Sequence, residues 1–101
     1  MIASFANRAT ERLAREGKSK LAGMDDAKAM ARLQVLQAAT TLDDIPPLRS
    51  VGPHALSGDR LGQWAMTING PWRLVFRFDA GNAHDVQIVD YHRASVVEDA
   101  R

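Results

Sequence analysis

The stretch from Gln63 to Phe78 restricts the possible folds more than any other part of the chain. Trp64, Met66 and Ile68 alternate with Ala65 and Thr67, and after Asn69-Gly70-Pro71 the period returns, with Trp72, Leu74, Phe76 and Phe78 set against Arg73, Val75 and Arg77. A period of two sends successive side chains to opposite faces of a strand, so both segments read as strands with one apolar face. Asn-Gly-Pro supplies the turn between them. Asp79-Ala80-Gly81-Asn82 is a second turn, and Ala83 to about Val89 reads as the next strand. Three strands joined by short turns form an antiparallel meander, and its aromatic face needs a cover from elsewhere in the chain.

The first half of the chain supplies that cover. Asn7 reads as the cap of a helix that passes Ala9 and Leu13 and stops at Gly17, a residue suited to a left-handed end. Its low apolar content predicts a surface helix with one narrow inward stripe. After a polar loop, Asp25 or Asp26 caps a second helix from about Ala27 to Ala39, with Met30, Leu33, Val35 and Leu36 on a broad apolar face. Pro46-Pro47 forbid its continuation. Ile2 to Phe5 alternates as a short first strand. The expected fold class is α+β, with two N-terminal helices packed on one face of a mostly antiparallel sheet. The opposite face is expected to stand open and to carry Arg73 and Arg77.

A length of 101 residues suits one domain, taken here as 1–101 with 93–101 as a short C-terminal extension. The chain has no cysteine, which excludes disulfides and thiolate metal sites and suits a reducing compartment. No apolar run approaches the roughly 20 residues of a membrane span, and Met1 to Phe5 lacks the basic flank of a secretory signal. A soluble cytoplasmic protein is expected. The net charge of +1 hides an uneven distribution. Arg8, Arg12, Arg15, Lys18 and Lys20 outweigh Glu11 and Glu16, and Arg49, Arg60, Arg73 and Arg77 outweigh Asp59. From Asp79 onward the acidic residues Asp79, Asp85, Asp90, Glu98 and Asp99 dominate. A basic body beside a more acidic end can bind a polyanion while holding carboxylates near it.

The last strand ends in Asp90, Tyr91 and His92, a carboxylate, a phenol and an imidazole in succession. Together they offer a base, a hydrogen-bond donor and a group that titrates near neutrality. Taken alone, they fit a solvated strand end as well as a site. His54, placed by the turn between Gly58 and Gly62 at the end of the strand before the meander, could lie near Arg73 and near this cluster; alone, it fits a partly buried histidine bonded to backbone. His84 reads as an exposed strand residue. The spacing of the three histidines matches no usual metal-ligand pattern, and no cofactor is implied. A DNA-binding module lacks its main support, because no recognition helix of alternating polar and basic residues stands out.

Four segments in order carry a family resemblance: Ile2-Ala3-Ser4-Phe5; His54 to Arg60 with Gly62-Gln63-Trp64; Asn69 to Phe76 with Trp72-Arg73; and Val86 to His92. Together they resemble the HigB-type toxins of the RelE superfamily, over residues 1 to about 92. The resemblance implies a RelE-like sheet covered by two helices, and a ribosome-dependent endoribonuclease that cuts messenger RNA. It also implies His54, Arg73, Asp90, Tyr91 and His92 as the catalytic set. Around that set, Arg8, Arg12, Arg15, Lys18, Lys20, Ser57, Arg60 and Arg77 are the candidates for RNA or ribosome contact. The implied partners are a helix-turn-helix antitoxin of HigA type, the 70S ribosome and messenger RNA. The free toxin is expected to be monomeric, and its antitoxin complex oligomeric and operator-binding through the antitoxin. Ser57 stands where many members have lysine, and Ala55 where proline is usual. That departure leaves a non-catalytic or weakly catalytic binding member as the alternative.

Overall fold

The computed structural model describes residues 1–45 and 53–90. Two helices come first, α1 (Arg8–Glu16) and α2 (Asp26–Ala38), followed by four strands: β1 (His54–Ala55), β2 (Trp64–Asn69), β3 (Trp72–Asp79) and β4 (Asn82–Asp90). The sheet order is β1-β2-β3-β4, and each neighbouring pair is antiparallel. This is the α+β arrangement expected from the change of period.

Local chemistry explains both helices. Asn7 caps α1, its Oδ1 accepting from the Thr10 amide at 2.9 Å, and Gly17 closes it with φ +77°. Asp25 caps α2 through the Lys28 amide at 3.0 Å. Asp26 is the first residue of that helix and is used differently, accepting from the Ser19 amide and hydroxyl. The inward stripe of α1 is Thr10 and Leu13, as narrow as its composition suggests.

The core lies between the helices and one face of the sheet. Leu13, Ala29, Leu33 and Leu36 meet Met66, Leu74, Phe76, Val86 and Ile88 there. Thr10 is fully buried yet satisfied: its hydroxyl donates to Asn7 Oδ1 at 2.7 Å and accepts from the Ile88 amide at 2.9 Å. One side chain thus fastens the start of α1 to the outer edge of β4.

Residues 2–5 depart from the expected strand. They form two isolated parallel bridges, Ile2 with Ala83 and Phe5 with Val86. The cause lies in β4, where Asp85 and Val86 together oppose the single residue Phe76, and Asp85 takes φ +54°. This bulge breaks the even spacing of edge amides. The Asp85 amide accordingly donates to the Ser4 hydroxyl at 2.9 Å, while the flanking Ala83 and Val86 amides reach the Met1 and Ser4 carbonyls.

Candidate functional site

The register sorts the candidates by face. One row crosses all four strands, His54–Ala65–Val75–Gln87, and the next row toward the β2–β3 turn is Thr67–Arg73–Val89. Residues paired directly across a sheet share a face. His54 and Arg73 therefore stand on the same face, away from the helices, two strand spacings or about 10 Å apart across the sheet and one row apart along it.

This outer face is less open than the alternation suggests. Val75 is 0% exposed and Ala65 3%, so an apolar pair at its centre is covered rather than bare. His54 is exposed and Arg73 half-buried at its margin. The Arg73 guanidinium bends back to the β2–β3 turn, donating to the Gly70 carbonyl at 2.7 Å and the Trp72 carbonyl at 3.0 Å. Those bonds fix where its positive fork sits.

Asp90 pairs with Trp72. By alternation it begins on the side of the sheet shared with Leu74 and Ile88, opposite to Arg73. It is half-buried, and it is the last of the described residues. Tyr91 and His92 lie outside the described residues, as does the 93–101 extension. The structure thus brings His54 and Arg73 to one face and puts Asp90 at the rim of the other.

The loop between β1 and β2 holds Ser57 and Arg60. Ser57 is exposed and precedes a short 3-10 turn, Gly58–Arg60. Arg60 is half-buried, with Nη1 donating to Gln63 Oε1 at 3.1 Å. Arg77 projects from the outer face in the row of His84 and forms an ion pair with Asp85 at 3.6 Å. His84 is half-buried rather than exposed, with Nε2 3.4 Å from the Asp79 carbonyl. Arg8, Arg12, Arg15, Lys18 and Lys20 are exposed on and just after α1; the loop after α1 meets the β2–β3 turn, where Asn69 Nδ2 donates to the Gly23 carbonyl at 3.0 Å. Among the described residues no group of three or more His, Asp or Glu could hold a metal ion, and no helix is long and apolar enough to cross a membrane.

Sequence reasoning passed over Asp85 and Gly62 as partners of Arg77. A signal for Asp85 was present, because the apolar residues Ala83, Val86 and Ile88 step by three and then by two, the mark of an inserted residue. Gly62 had no comparable signal, since its closeness to Arg77 depends on how the loop folds.

A small helix-backed antiparallel sheet whose other face bears histidine and arginine around a buried apolar centre defines a class of α+β domains. The comparison with known families is more specific. The model of the HigB-like toxins, RelE-like toxins of the type II toxin–antitoxin system HigB, matches residues 3–92, and the chain belongs to this family. It is also 33% identical over 94 residues to the protein named Endoribonuclease HigB from Proteus vulgaris, covering 91% of this chain and 100% of that protein. As a type II toxin it has an antitoxin partner.

Proposed function

We propose that the chain is an endoribonuclease that cuts messenger RNA on the ribosome, through attack of a 2′-hydroxyl on the adjacent phosphorus. The observation that supports this best is the placing of His54 and Arg73 on one face of the sheet in a chain similar over most of its length to Endoribonuclease HigB. The reaction needs a base for the 2′-hydroxyl proton, a cation for the crowded phosphorane and an acid for the departing 5′-oxygen. Arg73 offers a permanently charged planar fork to the phosphate. His54 and His92 exchange the two protons, so that the P–O5′ bond breaks as the 2′-oxygen bond forms. A 2′,3′-cyclic phosphate and a 5′-hydroxyl are left. Asp90 orients an imidazole or serves as the base, and Tyr91 orients the phosphate or stacks on a base. The basic residues of α1 and its following loop meet ribosomal RNA phosphates. The partner is a helix-turn-helix antitoxin of HigA type, the setting is cytoplasmic, and residues 1–101 act as one domain.

The test is purified toxin added to a translating system with a defined message, followed by mapping of new 5′ ends. In-frame cuts that need ribosomes and disappear when the 2′-hydroxyl at the cut site is replaced by hydrogen are expected. Intact message would overturn the nuclease reading, and equal cutting of naked RNA would overturn its ribosome dependence.

One observation favours a slower enzyme. Ser57 is exposed on the loop following His54, so the position usual for lysine brings a hydroxyl and no charge. Ser57→Lys is expected to raise the cleavage rate about tenfold or more, within the range of one stabilising group. No increase would mean that a cation at this position contributes nothing.

A further inference from the structure

Arg77 lies on the same strand and face as Arg73, four residues or about 13 Å further on. The head of Arg73 is tied to the Gly70 and Trp72 carbonyls at the opposite end of the strand from Arg77. The two guanidinium groups therefore diverge and cannot grip the same phosphate. Arg77 has a setting of its own. On one side its Nε meets the Asp85 carboxylate at 3.6 Å. On the other, its Nη1 lies only 3.2 Å from where a Cβ on residue 62 would stand, and that residue is glycine with φ +93°. A side chain there would press on the guanidinium, so the bare backbone of the β1–β2 loop lets Arg77 sit where it does.

The carboxylate is also placed by the fold. Asp85 is the bulge residue of β4 at φ +54°, with its amide fixed to the Ser4 hydroxyl at 2.9 Å. The pair is open to solvent, with side chains 46% and 59% exposed. Exposed ion pairs of this kind exchange readily with other anions, because their net worth in water is small. An RNA phosphodiester carries the same single negative charge as the carboxylate, and it can accept the guanidinium fork in a bidentate manner, a closer fit than the 3.6 Å contact Asp85 makes.

Resting on the nuclease reading above, we propose that Arg77 is a second phosphate subsite on the RNA track, beyond the reacting phosphate, and that Asp85 is its built-in counter-ion. RNA displaces Asp85 from Arg77 when it binds. The carboxylate weakens the grip of the subsite and favours release of cut RNA.

The probe is a single-stranded 2′-O-methyl RNA oligonucleotide, which can be bound but not cut, titrated against the full chain over a range of salt. Asp85→Asn is expected to tighten binding about two- to fivefold, the equivalent of freeing one exposed ion pair. Arg77→Ala is expected to lower the slope of log affinity against log salt by about 0.7, one single-strand phosphate contact. In the Arg77→Ala background, the gain from Asp85→Asn should vanish. Asp43→Asn, an equal change of charge on the exposed turn after α2, gives the size of any general charge effect. Tightening by Asp85→Asn that persists without Arg77, or that Asp43→Asn matches, overturns the proposal, as does an unchanged salt slope in Arg77→Ala. Absence of binding by the wild-type chain at low salt overturns it too. Cleavage of translated message then judges the nuclease reading independently.

Discussion

Leu74 and Arg73 are neighbours in the chain and stand on opposite faces of one strand. The face of Leu74 is a continuous apolar surface pressed against α1 and α2, with Met66, Leu74, Phe76 and Val86 fully or almost fully buried. The face of Arg73 has a small buried centre, Ala65 and Val75, ringed by His54, Arg73, Arg77, His84 and Gln87. One face needs only apolar volume and the right period, so many sequences could fill it. The other needs particular groups at particular points, and two bulges and a glycine loop set those points. Stability and chemistry are thus carried by alternate residues of the same strands, and a substitution should disturb one while sparing the other.

The largest effect is expected inside. Leu74→Ala should cost about 2–5 kcal/mol of folding stability, the range for removing a fully buried leucine, as a lowered urea midpoint. Cleavage per folded molecule should be unchanged. A smaller loss is expected where the two helical and strand systems are fastened together. Thr10→Val keeps the shape but leaves the Ile88 amide without its acceptor, at a cost of about 1–3 kcal/mol. Hydrogen exchange at Ile88 should quicken, and Thr10→Ser should retain most of the protection.

The smallest effect belongs to the turn after α2, on neither face. The Asp44 carboxylate accepts from the Thr40 amide at 2.8 Å, the Thr40 hydroxyl at 2.9 Å and the Thr41 amide at 3.2 Å. The Thr40 amide bond, then the Thr40 hydroxyl and Thr41 amide, hold its pKa below the ordinary 3.8. The folded state binds this proton less readily than the unfolded chain does. Its contribution is therefore present above the ordinary carboxylate value and is lost as pH falls through the lowered folded pKa. The advantage of the wild type over Asp44→Asn in unfolding experiments should shrink across that acid window and stay constant from there to neutrality. An advantage that persists in strong acid would show that the three bonds do not act through the charge.

The inner face was the more legible in the sequence. Asn7, Gly17 and the period of two announced α1 and the meander because each acts over a few residues. The strand expected at residues 2–5 became two bridges, because its form depends on a bulge in a partner about eighty residues away in sequence. The burial of Val75 was hidden for a similar reason, since alternation says which face a residue takes and nothing of what lies over it. At the candidate site, His54 and Arg73 could be named from the family resemblance, and their shared face followed only from the register. Asp90 was grouped with them through the same resemblance, and that its pairing with Trp72 starts it from the other side again followed only from the register.

The most direct test of this division is one assay on Arg73→Ala, cleavage of a translated message by protein whose urea midpoint has been measured alongside the wild type. Cleavage is expected to fall about a hundredfold or more, the loss typical of removing one group that stabilises transition-state charge, while the midpoint barely moves. Cleavage close to wild type, or lost only in step with stability, would contradict the claim that this face carries the chemistry.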